Sequence, residues 1–419
     1  MFKREAGFKK LENVDYALKK FLARVNPIHD YEILDVLNAI GRVLYEDVHA
    51  LIEQPPFDRA ALDGYAVNSR YVSSASLHNP VRLKVIGVST TSKPFQGILR
   101  PYEAVRIDTG APMPKGADSV VPIEETLRYG EYIEVHKPVS PNQNVALKGE
   151  DIKIGDLVVR RGTLVNPMDV AAMINSGVRR VRVYRRVRIS IAAIGSELKD
   201  YRDNLKYGEI WEVNRVMIIS LLRWLPIDVV KSIIIPDDRD EIIKFINQCL
   251  PYSDLIISIG GTSLGSGDII TDLIYEIGDV LTHGVALQPS KPVLLAFING
   301  KPYIGVPGYP IAAAISTLIF IQPVVMKLAG INGVYIPRVI NAVLTRRVAS
   351  KLGYRHYVRV FVYRKDGEYY AEPIMISGAG ILSSLSLSNG FLIIPEDIEG
   401  YEEGTKVNVV LYREVIPYG

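Results

Sequence analysis

A single cysteine, Cys249, is all the thiol chemistry in the 419 residues. One cysteine excludes an intrachain disulfide and any metal site built from clustered thiolates, and it suits a reducing, cytoplasmic setting. Its surroundings, IIKFINQCL, have helical spacing, so a buried structural thiol is expected there and not a nucleophile. Net charge is scarce too. The formal value is +3 at pH 7, which gives no reason to expect nucleic acid as a partner. No apolar segment of membrane-crossing length is expected, and so no membrane partner. The N-terminus, MFKREAGFKKLENVDYALKKFL, is basic but lacks an apolar h-region, which argues against a secretory signal. Two ligand signatures are missing. No G-x-G-x-x-G follows a first strand and no G-x-x-x-x-G-K-S/T occurs, so neither a dinucleotide fold nor a P-loop is expected.

Positive charge gathers in one place. Residues 178–188 read VRRVRVYRRVR, with six arginines. No aromatic stacking platform accompanies them, so the stretch reads as a strand with Val178, Val181, Val183 and Val187 partly inward and arginines in solvent, in preference to an anion-binding stripe.

Hydrophobic residues make up 48% and charged residues 23%, the balance of a soluble globular chain. The length implies about two to four domains. Residues 12–24 place Val14, Ala17, Leu18, Phe21 and Leu22 at helical spacing, and a second short helix is expected around 31–40. The stretch GRVLYEDVHA alternates like a strand, and EQPPFDRAALDGYAVN is extended, turning at Asp63-Gly64. From residue 80 to 134, short β-like runs are separated by turns, as in a small all-β domain. Residues 149–184 punctuate strands around a helix near 167–174 and can pair with the N-terminal region, which would make the β domain an insertion. From 188 to about 330, apolar strands alternate with amphipathic helices, the pattern of a parallel sheet covered on both faces. Pro323, inside the last long helix, is expected to kink or break it. Residues 331–419 return to β character.

The segment DLIISIGGTSLGSGDIITD (254–272) ends an apolar strand in a glycine-rich loop. In parallel α/β sheets, ligands bind at the carboxyl ends of strands. Gly260 and Gly261 let backbone amides approach an anion, Thr262, Ser263 and Ser266 add hydroxyls, and Asp268 can cap a helix or ligate Mg²⁺. Alone, such a loop is more often a plain strand–helix turn. Three further loops fall at strand ends. Glu197 follows SIAAI. Asp237-Asp238 follows VVKSIIIP, with helix capping the simpler role for one of the two. Pro307-Gly308-Tyr309-Pro310 follows KPYIGV, with Pro310 suited to a first helical position. Four such loops point to a phosphate-bearing ligand held with a divalent cation.

Seven motifs in one order, covering nearly the whole chain, carry a resemblance: PPFDRAALDGYAV (55–67), RIDTGAPMPKGADSVV (106–121), GEDI with GD (149–156), GSEL (195–198), GGTSLGSGD (260–268), PSKP (289–292) and VPGYP (306–310). Together they resemble the molybdopterin molybdenumtransferase family, MoeA and the E domain of gephyrin. The resemblance implies a multidomain α/β plus β fold: a central parallel-rich α/β molybdopterin-binding domain with small β domains and an elongated N-terminal dimerisation domain. The expected division is 1–67 with 149–186 for the dimerisation domain, 68–148 for an inserted β domain, 187–330 for the α/β domain and 331–419 for the C-terminal β domain.

The resemblance implies insertion of molybdate, or tungstate, into adenylylated molybdopterin with release of AMP and with Mg²⁺ present. It implies a homodimer whose cleft lies between the α/β domain of one subunit and the β domain of the other. Molybdopterin adenylyltransferase and the apoproteins of molybdo- or tungstoenzymes are expected partners. Carried over by motif, Asp58, Asp63, Thr109, Glu197 and Asp268 are the catalytic candidates. Gly260, Gly261, Thr262, Ser263, Lys291, Pro307, Gly308 and Pro310 would bind the cofactor precursor, and Glu197, Asp237 and Asp268 the metal. No cysteine is needed, because the substrate brings the sulfur. The chain departs from the family pattern at four places. Arg59-Ala60 replaces Asn-Ser, GGTSLG replaces GGVSVG, Gln288 stands where KPGKP has its first lysine, and Tyr309 stands where PGNP has asparagine. A molybdopterin adenylyltransferase and a non-catalytic molybdopterin-binding scaffold are the alternatives.

Overall fold

The computed structural model describes residues 11–262, 269–333, 335–374, 378 and 380–417. Asn13 opens the first helix, Val14–Leu22, by accepting hydrogen bonds from the Asp15 and Tyr16 amides. Its buried face is Val14, Ala17 and Phe21. It joins the apolar cluster of Ile189, Ile257 and Phe297 in the α/β unit, with the Phe21 and Phe297 rings 4.9 Å apart. Sequence order groups this helix with residues 1–67, whereas its packing ties it to the α/β unit.

The short helix expected around 31–40 is instead a strand, Tyr31–Asp35, followed by one 3₁₀ turn, Val36–Ala39. The strand pairs antiparallel with Arg180–Tyr184, a partner nearly 150 positions away that local spacing cannot reveal. Asp35 closes the strand by capping the 3₁₀ turn through the Leu37 amide. Val48–His49 pairs in turn with Leu157–Val159, so residues 31–49 and 157–184 share one apolar cluster. The arginine run lies on this region's outer side, tied down by carboxylates. Arg182 meets Glu46 at 2.9 Å, and Arg185 meets Asp254 at 2.6 Å and Asp30 at 2.9 Å.

Between these segments lies a six-stranded sheet over its own core of Tyr65, Leu83, Ile133 and their neighbours. Gly64–Val67 is an interior strand of that sheet, between Glu103–Ile107 and Ser119–Pro122. The sheet therefore begins before the boundary expected at residue 68. Gly64 has no room for a side chain, since a Cβ there would meet the Val121 carbonyl at 2.1 Å.

The α/β unit holds strands β1 (Val187–Ile194), β2 (Ile227–Ile235), β3 (Leu255–Ile259), β4 (Asp279–His283), β5 (Leu294–Ile298) and β6 (Lys301–Val306). Their spatial order is β2-β1-β3-β6-β5-β4. The first four in that order are parallel, as apolar strands joined by helices require, but β5 runs antiparallel to both its neighbours, β6 and β4, at one edge. The unit is thus parallel-rich and not wholly parallel. Every residue of β3 and β5 is buried, which is why these strands read as unbroken apolar runs.

Pro310–Leu328 is a continuous helical run of 19 residues, apolar enough to cross a membrane, contrary to the expectation that no segment reaches that length. It is 83% buried inside the protein, the position of a core helix. Pro323 does not break it. A π turn over Thr317–Ile321 precedes the proline and takes up the mismatch left by its ring and missing N–H.

Six strands of residues 338–417 and the short strand Leu287–Gln288 form a seven-stranded sheet whose core includes Leu344, Val360, Val362 and Val409. Arg355 fastens this sheet to the first helix through Asp15, at 2.6 Å, and also meets Glu396, at 3.0 Å.

Candidate active site

The register of the α/β sheet aligns four strand ends. Ile194 lies opposite Ile235, Ala193 opposite Ile259, and Ile259 opposite Val306. The loops leaving these strands therefore open on one edge, and they converge on a pocket of about 500 Å³. From the first loop comes Glu197, from the second Asp237, from the third Gly260 and Gly261, and from the fourth Gly308, Tyr309 and Pro310. A larger pocket, about 610 Å³, lies in the inserted sheet around Leu77, Leu127 and His136, but none of the motif residues lines it.

Glycine is required where the loops meet. Gly260 has φ 90° and Gly261 φ 64°, both in the left-handed region. A side chain on Gly260 would strike the Ile194 carbonyl at 2.8 Å, and one on Gly261 would strike Ile270 at 2.5 Å. The backbone is thereby bared toward the pocket, although the Gly260 amide itself donates to the Val306 carbonyl at 2.9 Å. Thr262 follows, 1% exposed, with its Oγ1 unpartnered among the described residues. Ser263, Ser266 and Asp268 lie outside the described residues.

Glu197 and Asp237 are exposed at the pocket, and neither has an ion-pair partner among the described residues. Glu197 folds back over Gly195, where an added Cβ would come 2.7 Å from its carboxylate oxygens. The adjacent aspartate has the simpler role. Asp238 caps the helix Arg239–Cys249, accepting from Asp240 and Glu241 amides at 3.0 Å each. Among the described residues, no cluster of three or more acidic, histidine or cysteine side chains forms a ready-made metal cage. Two unpaired carboxylates suit Mg²⁺, which binds one or two carboxylates plus substrate phosphate oxygens and keeps the rest of its shell as water.

Pro310 takes the first helical position, and Tyr309 at the N-cap supplies no side-chain bond to the helix amides. Pro307 is buried behind the loop. Lys291 does not line the pocket, but its loop enters β5 at Leu294, which pairs with Gly305 near the same edge. Ser290, just before it, is 4% exposed and holds φ 103°, a conformation that costs a non-glycine residue about 1–3 kcal/mol.

Asp58, Asp63 and Thr109 lie elsewhere in the subunit, and none lines this pocket. Asp63 accepts from both the amide and the hydroxyl of Thr109, each at 2.7 Å. The Thr109 hydroxyl and then its amide hold the Asp63 carboxyl below the usual carboxylate range. Asp58 accepts the Lys148 amide at 2.7 Å. Lys148 in turn reaches Glu53 at 2.9 Å, and that hydrogen bond raises its pKa.

Three pocket residues escaped the sequence reading: Trp211, Glu212 and Asn214. Trp211 ends a two-residue strand, Ile210–Trp211, paired with Leu198–Lys199, and the other two follow it. Glu212 is buried and grips Arg215 through its amide at 2.8 Å and its Nε at 2.9 Å. Asn214 donates from Nδ2 to the Gly308 carbonyl at 2.7 Å, tying the helix Asn214–Leu221 to the loop of the fourth strand. The available signal was an asparagine and a glutamate opening an apolar helix, a pattern shared by ordinary caps.

The chain matches the MoeA N-terminal region (domain I and II) over residues 12–177, a probable molybdopterin binding domain over 190–327 and the MoeA C-terminal region (domain IV) over 341–412. A protein of Methanocaldococcus jannaschii named for molybdopterin biosynthesis is 34% identical over 388 residues, covering 91% of this chain and 92% of its own length. A molybdopterin molybdenumtransferase of Staphylococcus aureus is 30% identical over 374 residues, 89% of each chain. The crystal structure of the molybdopterin biosynthesis MoeA protein of Pyrococcus horikoshii superimposes with a TM-score of 0.82 at 31% identity, over 96% of this chain and 100% of that one.

Proposed function

Since the chain belongs to the MoeA family of molybdopterin molybdenumtransferases, we propose that it inserts molybdate or tungstate into adenylylated molybdopterin with release of AMP and with Mg²⁺ bound. It is a transferase of molybdenum cofactor biosynthesis. The observation that carries the finer reading is the meeting of Glu197 and Asp237, from two strand ends, beside the bare Gly260–Gly261 backbone.

In this reading the glycine loop's amides after Gly260, whose own N–H is taken by Val306, hold phosphate oxygens of the adenylate. The N-terminus of the Pro310 helix faces the same anion with its uncapped first turn. Glu197 and Asp237 would hold Mg²⁺, with Asp268 as a further candidate ligand. Bound there, the ion would offset the charge on phosphate oxygens as the adenylate linkage is hydrolysed. Lys291 brings positive charge to the oxyanion from the neighbouring loop. The dithiolene sulfurs belong to the substrate, consistent with Cys249 being buried and its thiol pKa raised by that burial.

The reading includes a cytoplasmic homodimer and the four-domain division given above. In that dimer, Asp58, Asp63 and Thr109 would close the pocket from the partner subunit. Molybdopterin adenylyltransferase and molybdo- or tungstoenzyme apoproteins are the proposed sources and recipients of the cofactor. A second reading, a non-catalytic molybdopterin-binding scaffold, draws on Gln288 and Tyr309.

The deciding experiment mixes purified protein with adenylylated molybdopterin and Mg²⁺, adds molybdate, tungstate or neither, and quantifies AMP. Release that depends on the oxyanion is expected, and the preferred anion names the metal. Tight binding with no release under any condition would favour the scaffold.

A further inference from the structure

One side of the strand-end pocket is aromatic, and none of the recognised motifs accounts for it as a whole. Trp211 lines the pocket with 51% of its surface exposed, and Tyr309 lines it with 65% exposed. Both rings are anchored away from the space between the loops. The Trp211 indole N–H donates to the Asp203 carbonyl at 3.0 Å. A Cβ on Gly380 would meet the Tyr309 ring at 3.3 Å, so the glycine lets the C-terminal segment lie against that ring. The two aromatic segments are also joined to each other. Asn214, three residues after Trp211, holds the carbonyl of Gly308, the residue before Tyr309. That hydrogen bond uses the Asn214 amide nitrogen and leaves Oδ1 buried, without a partner among the described residues, on a residue of the same wall.

Two large exposed rings fixed at one pocket leave apolar faces in water, and a planar ligand covers such faces well. An unpartnered amide oxygen beside them suits the exocyclic amino group of a heteroaromatic ring. We infer that Trp211 and Tyr309 are stacking walls for a fused nitrogen heteroaromatic, the purine or the pterin of the substrate. Tyr309 stands where the family pattern has asparagine, so this grip is a specificity feature of this chain. The inference rests on the proposed transferase reading, because adenylylated molybdopterin carries both ring systems.

Trp211 and Trp224 are the two tryptophans of the chain. Trp224 packs at a tilt against Tyr335, ring centroids 5.4 Å apart, and does not line the pocket. In the Trp224→Phe protein, emission therefore reports on Trp211 alone. AMP with Mg²⁺ and 6-hydroxymethylpterin are titrated separately, by calorimetry and by Trp211 emission. The ring that stacks should quench Trp211, which distinguishes purine from pterin. Trp211→Ala should weaken that ligand roughly 10- to 100-fold, while Trp211→Phe should stay within about threefold. Tyr309→Asn should cost less, roughly 3- to 10-fold. Because Trp211 is half exposed, the melting temperature should be the same in all variants. Binding with unchanged emission and full affinity in Trp211→Ala would overturn the stacking and leave the transferase reading standing. Failure of the wild-type chain to bind either ligand would overturn the inference, and AMP release measured in parallel shows whether the reading falls with it.

Discussion

Asp58 and Asp63 are as exposed as Glu197 and Asp237, yet the two pairs are held differently. In the inserted sheet the carboxylates are spoken for. Asp63 takes two hydrogen bonds from Thr109, and Asp58 takes one from the Lys148 amide. At the α/β strand ends, Glu197 and Asp237 meet one pocket with no ion partner among the described residues. A carboxylate already bonded to the backbone fixes the shape of a loop. One left open at a ligand pocket is placed for a cation, which can in turn bind a phosphate. Residue type and exposure alone do not separate the two roles, and hydrogen-bond partners do.

The contrast breaks most visibly in turnover. Glu197→Ala and Asp237→Ala should each lower AMP release at least about 100-fold, with melting temperatures close to wild type. Full activity in both variants would remove the pocket carboxylates from the site. Asn214→Ala tests the support beneath the pocket. Losing the bond to Gly308 should cost about 1 kcal/mol of stability by denaturant unfolding and roughly 10-fold in turnover, as the Tyr309 loop loosens. Unchanged turnover there would mean the loop is held by other contacts.

Asp63→Asn sharpens the other side. The Asp63 carboxyl titrates below its ordinary range in the folded chain, so its contribution to stability is complete above the unfolded value of about 4 and is lost as pH falls through the folded value. The melting-temperature gap between wild type and Asp63→Asn should be open at pH 7 and should close toward pH 2. A gap independent of pH would mean that the Thr109 bonds do not favour the ionised form. The smallest effect belongs to Cys249. Its thiol is buried, so native protein should react slowly with thiol reagents, and Cys249→Ser should keep full turnover. Fast labelling, or lost turnover, would give the thiol a role that it lacks here.

Much of the α/β unit was legible because its elements carry local signals. Asp238 before an amphipathic run announced the helix Arg239–Cys249, and the apolar run 255–259 announced a buried strand ending at Gly260. Direction was not legible. LLAFI is a short apolar run that reads the same whether parallel or antiparallel, so the one reversed strand near the sheet edge appeared only in three dimensions. Residues 31–40 misled because Ile33, Leu34, Val36 and Leu37 fit a helical stripe as well as a strand, and the partner at 180–184 decides between them. At the site, the four strand-end loops could be read, since glycines and carboxylates after apolar runs are conspicuous. Asn214 could not, because its role comes from a tie to Gly308 nearly a hundred residues away, and Trp211 could not, because only the fold brings it to the same pocket.

The most direct test of the account is to locate the nucleotide. A crystal structure of the chain with AMP and Mg²⁺ should place the phosphate against Gly260 and Gly261 and the ion beside Glu197 and Asp237. Nucleotide bound elsewhere, with that pocket filled only by water, would contradict the assignment of the strand-end pocket as the active site.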